Sequence, residues 1–304
     1  MVNNNTNGCM LCPRKCNVNR EDILGYCGVG NEIKIARAAL HYMEEPCISG
    51  KNGSGTIFFT GCNLRCIFCQ NYKISHNNFG KVISNERLSE IILGLQDKGA
   101  NNINLVTGTM YVNEIIKALD RVKHKLNIPV VYNCGGYENA DTIEKLSGYV
   151  DIYLQDIKYY NNELAVKYSK APDYFKYASV STKEMIKKVG NPLFYDKENE
   201  PGKMLKSGVI IRHLVLPGAR KDSMEILRWI SENLDKGSYL ISVMSQYTPA
   251  YKSKDFKEIN RMVTTFEYDS VVNEALRLGI DNGYMQNRDS SGKEYTPDFD
   301  LEGV

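Results

Sequence analysis

Apolar residues in this chain fall into short, nearly continuous runs separated by longer amphipathic stretches. The runs at 56–60, 103–107, 129–134, 151–158, 208–217 and 239–247 read as strands buried on both faces. Between them, 86–98, 112–126, 139–146, 162–169, 174–189 and 223–234 read as helices, and a seventh is expected over 268–278. In the first helix Leu88, Ile91, Ile92 and Leu95 recur at the three- and four-residue spacing of a buried face. Such alternation predicts an α/β fold with a parallel sheet. Six strand–helix units predict an open, partial (β/α)6 barrel over residues 51–304, with its chemistry at the carboxyl ends of the strands. Arg212 and His213 are neighbours on the fifth strand, so one of them should point into the barrel. The charged stretch 195–206 is the expected long surface loop. Gly50, Gly53 and Gly55 mark a flexible turn before the first strand. Residues 1–50 read as a separate cysteine-rich N-terminal extension that ends in a short apolar segment at 33–41.

Composition narrows the class. The 304 residues are 42% hydrophobic and 24% charged, with a net charge of +2. These are the proportions of a globular protein. A balance so close to neutral, with the two signs interspersed, gives no electrostatic footprint for nucleic acid. No apolar stretch approaches the ~18 residues of a membrane span. The polar start Met1-Val2-Asn3-Asn4-Asn5-Thr6-Asn7-Gly8 lacks the apolar core of a secretory signal, so a cytoplasmic location is expected. In that setting nine cysteines point to metal ligation rather than disulfides.

Seven of those cysteines form two clusters. Cys62, Cys66 and Cys69 follow the first strand at a C-x3-C-x2-C spacing, within Thr60-Gly61-Cys62-Asn63-Leu64-Arg65-Cys66-Ile67-Phe68-Cys69. Four thiolates normally hold a cubane iron–sulfur cluster, so three would leave one iron open to another ligand. A zinc knuckle, or buried thiols at a strand–loop junction, is the plainer alternative. Cys9, Cys12, Cys16 and Cys27 form a C-x2-C-x3-C-x10-C set. Four thiolates suit either a closed tetrahedral zinc site or a fully ligated second Fe–S cluster. His41 reads as a hydrogen-bonded structural histidine or a ligand. Cys47 reads as a small buried residue. Cys134, at the end of the third strand, is either such a residue or a hydrogen-atom donor at the barrel mouth.

With Phe68 before the third cysteine, the first cluster resembles the signature of the radical S-adenosylmethionine (SAM) enzymes. The resemblance implies a TIM-like radical SAM barrel and a 4Fe–4S cluster on Cys62, Cys66 and Cys69. It also implies an open iron chelated by the amino and carboxylate groups of SAM. One electron from the cluster then cleaves the sulfonium to methionine and a 5′-deoxyadenosyl radical. Gly61-Cys62-Asn63-Leu64-Arg65-Cys66, Asp156-Ile157-Lys158 and Val215-Leu216-Pro217-Gly218 further resemble activating enzymes of glycyl-radical proteins. The likeness extends to the subgroup related to pyruvate formate-lyase activating enzyme, in which a four-cysteine N-terminal segment is typical.

That resemblance assigns Phe68, Thr107, Gly108, Asn133 and Asp156 to SAM. Thr107-Gly108-Thr109 stands where the family's Gly-Gly-Glu binds the methionyl amino group. Asn133 and Asp156 stand where the family holds a monovalent cation near the SAM carboxylate, with Asn133 replacing an aspartate. A simple strand-end ion pair is the alternative for Asp156 and Lys158. Gln246-Tyr247-Thr248-Pro249 is placed to flank adenosine or substrate, or is a plain turn. The implied partners are flavodoxin or ferredoxin as electron donor and a glycyl-radical enzyme as protein substrate. Radical modification of a small molecule or peptide is the alternative activity. A non-enzymatic Fe–S or zinc protein is the alternative of another class.

Overall fold

The computed structural model describes residues 8–286 and 296–304. The polar start read from Met1 to Asn7 lies outside the described residues. In chain order the elements are β1 (Ile33–His41), α1 (Pro46–Ser49), β2 (Ser54–Phe59), α2 (Tyr72–Ser75), β3 (Lys81–Ile83), α3 (Asn85–Asp97) and β4 (Ile103–Val106). There follow α4 (Val112–Val122), β5 (Val130–Cys134), α5 (Ala140–Lys145), β6 (Ile152–Asp156), α6 (Asn162–Ser169), α7 (Tyr174–Val189) and β7 (Leu193–Tyr195). The chain closes with β8 (Met204–Leu214), α8 (Arg220–Asn233), β9 (Leu240–Met244), α9 (Thr265–Arg277) and β10 (Gly283–Met285).

The sheet order is β10-β9-β8-β6-β5-β4-β2-β1-β3. Strands β2, β4, β5, β6, β8 and β9, the six expected, pair in parallel, and β10 adds a further parallel strand beside β9. β1 runs antiparallel to β2 and to β3. The fold is therefore a mixed α/β structure with an open, partial barrel.

Register sorts the strand residues into two faces. Phe58 pairs with Val106, Val106 with Asn133, Asn133 with Leu154 and Leu154 with Ile210. One step nearer the carboxyl ends, Asp156 pairs with Arg212 and Arg212 with Ser242. Because side chains alternate along a strand, all of these share the lumen face. Ile57, Leu105, Tyr132, Tyr153, Ile211 and Ile241 face the other way and build the main core with Leu88, Ile92, Ile115, Ile226 and Val271 of the helices.

Two expectations change here. The expected turn before the first strand is confined to residues 50–53, where Gly53 N–H donates to Ser49 O at 2.8 Å. Gly55 lies inside β2, and α1 inserts into the lumen, where Cys47 and Ile48 pack with Val131, Ile152, Leu154 and Ile210. The chain thus plugs the amino-terminal end of the barrel with its own residues. The expected loop at 195–206 is a loop only at its tip. Leu193, Phe194 and Tyr195 pair antiparallel with Ser207, Leu205 and Met204, since the apolar residues on both sides of the charged tip can zip into a hairpin. Glu200 at that tip accepts from Asn101 Nδ2 at 2.7 Å and from the Asn52 amide at 3.1 Å, tying the hairpin to the plug.

Candidate active site

The cysteine loop leaves β2 through Gly61, whose φ of +90° is open to glycine. A Cβ there would also stand 2.9 Å from the Cys27 carbonyl oxygen. Backbone bonds then pin the loop on three sides. Cys62 N–H donates to Cys27 O at 3.3 Å, Arg65 N–H to Ser169 O at 3.0 Å and Ile67 N–H to Tyr168 O at 2.9 Å. Asn63 is buried and donates to Tyr137 O at 2.6 Å. Phe68 packs edge-on against Tyr247 at 5.6 Å between ring centroids.

Cys66, Phe68 and Cys69 line a cavity of about 240 Å3 together with Asp156, Lys158 and Arg212. Cys66 Sγ lies 2.9 Å from Ser169 Oγ, Cys69 Sγ lies 3.2 Å from Ser75 Oγ, and Cys62 Sγ accepts from the Leu64 amide at 3.4 Å. As placed, no group of three or more His, Cys, Asp or Glu side chains among the described residues closes on one metal position. Each sulfur is engaged with its own neighbour instead. Burial pushes all three thiols up, with Cys69 at about 11, while Lys158 acts in the opposite direction on each. A metal that displaces the thiol protons removes that burden. The donor set therefore fits a cluster: three soft sulfurs on one loop, a cation beside them and open space in front.

That space continues into the lumen. A second cavity of about 430 Å3 shares Gln70, Asn71, Arg212, Met244 and Gln246 with the first. Its floor is the segment before α1, including Glu44 and Glu45. Arg212 joins the two cavities. Its Nε donates to Asp156 Oδ1 at 2.9 Å, Nη1 to Glu44 Oε2 at 3.1 Å and Nη2 to Asn133 Oδ1 at 2.5 Å. Lys158 Nζ donates to Asp156 Oδ2 at 2.5 Å. Glu44 Oε1 accepts from Asn104 at 3.0 Å and Asn133 at 3.1 Å. Burial drives the Asp156 carboxyl up, but Arg212 and Lys158 outweigh it and hold it below the usual range. For Glu44 burial prevails over Arg212, and its carboxyl is raised.

Asn133 and Asp156 thus come together in one network, and Asn133 lines the larger cavity. Both Asp156 oxygens are taken by side-chain cations. The Lys158 and Asp156 side chains are 17% and 14% exposed, so their ion pair is largely sheltered in the site and is not a surface one. Of the two candidates on β8, Arg212 points into the barrel. His213 is buried on the other face, with Nδ1 2.7 Å from Ile157 O. Thr107 and Gly108 follow β4, next to the cavity-lining Val106, but line neither cavity. Thr107 holds φ at +60°, uncommon for a β-branched residue, and its N–H donates to Asn133 O at 2.8 Å. His41 lines the larger cavity and meets the Phe58 edge at 6.1 Å.

Of the two readings of Cys134, the small buried residue is the one the structure shows. It packs in the helix-facing core and donates to Gln155 Oε1 at 2.9 Å. Its neighbour Asn133 faces the lumen, so strand alternation turns Cys134 away. Among the site residues missed from the sequence is Glu44, which sits in a loop with no periodicity to mark it.

Known proteins resemble the chain as follows. The Radical SAM superfamily model matches residues 56–200. Over 283 residues the chain is 36% identical to the uncharacterized protein MJ0674 of Methanocaldococcus jannaschii, covering 90% of this chain and 75% of that one. Among solved structures, Streptococcus suis SuiB bound to precursor peptide SuiA aligns with a TM-score of 0.48 and 12% identity, over 74% of this chain and 46% of SuiB. Methylornithine synthase PylB aligns with a TM-score of 0.48 and 16% identity, over 71% and 59% of the two chains. The chain thus spans about half the length of SuiB. With the cysteine loop following β2, and a relative matched over most of its length, the chain belongs to the radical SAM superfamily.

Proposed function

We propose that this chain cleaves SAM reductively at a 4Fe–4S cluster held by Cys62, Cys66 and Cys69, and directs the resulting radical at a group seated in the lumen. The observation that carries this reading is the continuity of the two cavities, which share Arg212, Gln70, Asn71, Met244 and Gln246. When bound, the cluster supplies the electron that breaks the sulfonium bond of SAM. The protein supplies binding and orientation. Lys158, held by Asp156, is the cation beside the sulfurs and is proposed to meet the carboxylate of SAM. Phe68 and Tyr247 wall the cysteine cavity and limit water. Asn133 and Glu44 offer polar atoms toward the larger cavity. Flavodoxin or ferredoxin is the proposed electron donor, and Cys9, Cys12, Cys16 and Cys27 are proposed as a second metal-binding set.

The substrate group has two readings. The cavity of about 430 Å3, floored by the plug, has small-molecule size, and the end of SAM held at Asn133 is proposed to enter it beside the substrate. This favours a small molecule or one peptide side chain. Activation of a glycyl-radical enzyme is the finer reading that the strand-end motifs support, and it would require a loop of the partner to enter the same lumen. A pull-down for a large glycyl-radical partner separates the two.

The test of the shared chemistry is anaerobic reconstitution with iron and sulfide, reduction, and measurement of 5′-deoxyadenosine. Wild type is expected to produce it. Cys66→Ala is expected to produce none while keeping its fold, because the main core contains no part of that loop. Full 5′-deoxyadenosine formation by Cys66→Ala would refute the assignment. Production by wild type rules out a purely metal-storing or structural protein.

A further inference from the structure

We propose that Cys9, Cys12, Cys16 and Cys27 hold a single tetrahedrally coordinated divalent ion of the zinc class, and that this ion clamps the Cys62 loop. The inference rests on the reading that the N-terminal set binds metal, and it names the metal and its purpose.

Size separates an ion from a cluster. All four cysteines line one void of about 10 Å3, with Arg14, Arg20, Thr109 and Met110, and as placed their side chains stand around it without closing on one metal position. The void is about the space of one water-sized probe. The same chain opens about 240 Å3 in front of Cys66 and Cys69. A cubane of four irons and four sulfides suits the second space and not the first. A single ion bound to four sulfurs at ~2.3 Å, with no open position, suits the first.

Charge argues for a bound metal, and it is the same for a single ion and for a closed 4Fe–4S cluster on four thiolates, so size alone separates the two. Four thiolates around a divalent ion carry a net charge of about −2, which must be offset where water is excluded. Arg14 and Arg20 both line the void. Arg14 Nη2 and Arg20 Nε are buried and have no hydrogen-bond partner among the described residues. Buried guanidinium donors are rarely left idle. The remaining donors of these side chains are already committed. Arg14 Nε donates to Asn63 O at 2.7 Å and Nη1 to Lys170 O at 2.5 Å, and Arg20 donates to Met110 O and Gly30 O. The two idle nitrogens belong to side chains that line the void together with the sulfurs, which become strong acceptors once they are thiolates.

The clamp follows from what the set is tied to. The Cys27 carbonyl accepts the Cys62 N–H. The Tyr26 carbonyl accepts from Arg65 Nη2 at 2.5 Å. Arg14 reaches the Asn63 carbonyl and lies 3.8 Å over the Tyr26 ring. Three consecutive parts of the cluster loop, at Cys62, Asn63 and Arg65, therefore hang on the segment that the ion would fix. A metal site this small contributes its binding energy as local folding energy.

The test counts zinc, iron and acid-labile sulfide in anaerobically reconstituted full-length protein, as wild type, Cys12→Ser, Cys9→Ser and Cys66→Ala. Wild type is expected to hold about one zinc and about four irons. Cys12→Ser and Cys9→Ser should lose the zinc and keep the iron. Cys66→Ala should lose the iron and keep the zinc. Amide exchange over residues 61–66 should rise ~10-fold or more in the zinc-free variants. Iron near eight in wild type, falling by about four in Cys12→Ser, would overturn the single ion. So would metal content that neither N-terminal variant changes. Zinc loss with unchanged exchange over 61–66 would overturn the clamp. If the variants do not stay soluble, the zinc-to-iron ratio of wild type decides the ion, and exchange of chelator-treated wild type decides the clamp. Iron retained by Cys66→Ala would count against the main cluster assignment and not against this one.

Discussion

Arg212 holds three groups that come from three different parts of the chain: Glu44 ahead of the plug, Asn133 on β5 and Asp156 on β6. Its side chain is 13% exposed, and those of Glu44 and Asp156 are 11% and 14% exposed. Removing one partner of a buried pair leaves an uncompensated charge, at a cost of about 3–5 kcal/mol. Arg212→Met should therefore lower stability by that order in denaturant unfolding. Arg212→Lys should recover only part of it, because a lysine cannot present donors in a planar fork to three acceptors. A loss below ~1 kcal/mol for the methionine variant would show that solvent screens this network. Cys134 makes the opposite case. A serine in its place can still donate to Gln155, so Cys134→Ser should cost less than ~1 kcal/mol and leave the ratio of 5′-deoxyadenosine to product unchanged. A shift in that ratio would return Cys134 to the chemistry.

At the scale of elements, α9 is tied to the turn after β8 by one carboxylate. Glu267 closes a capping box with Thr264. It also accepts from the Gly218 amide at 2.7 Å and from both terminal nitrogens of Arg261 at 2.7 Å. These donors, Arg261 first, hold its carboxyl well below the ordinary value of 4.5 in spite of burial. The folded state thus binds the proton less readily than the unfolded one. The stabilisation is complete above the unfolded pKa and fades as pH falls below ~4.5. Glu267→Gln should be less stable than wild type at pH 7 by about 1–3 kcal/mol. The gap should narrow as the pH is lowered through 4. A gap that stays constant with pH would mean that packing, not charge, is what the residue supplies.

The elements also show what could be read in advance. The six parallel strands were legible because each is a continuous apolar run, and α6 and α7 have the bounds expected. The cysteine loop was legible because its chemistry lies in local spacing. β1 was read only as a short apolar segment over the same residues, since its antiparallel pairing with β2 depends on a contact that no short window encodes. The plug helix has four residues, too few for any periodicity. The bond from Arg212 to Glu44 spans 168 residues. Glu44 became part of the site only because the plug enters the lumen from below. Strand alternation would have placed Cys134 on the helix side, given the lumen-facing role already assigned to Asn133.

For the molecule as a whole, the plug decides how deep the lumen is. Ile48 is fully buried between Val131, Ile152 and Leu154 at the barrel floor. Its carbonyl accepts from Asn102 Nδ2 at 2.8 Å, and the Ser49 carbonyl accepts from Asn101 Nδ2 at 2.8 Å. The segment is thus held by packing within the barrel and by polar bonds at its rim. Glu44 and Glu45, which floor the larger cavity, stand directly before this helix. Ile48→Ala should cost about 2–5 kcal/mol, as large-to-small core changes do. Its effect on the site should be selective. The cysteine loop is pinned by Cys27, Ser169 and Tyr168, none of which touches the plug through a backbone bond. Iron and sulfide content after reconstitution should therefore match wild type, while SAM binding, read by its perturbation of the reduced cluster's paramagnetic signal, weakens as the floor loosens. If iron and SAM binding fall together, the plug supports the whole barrel and not its floor. If stability is unchanged, the lumen core does not depend on Ile48 and the plug is only a lining.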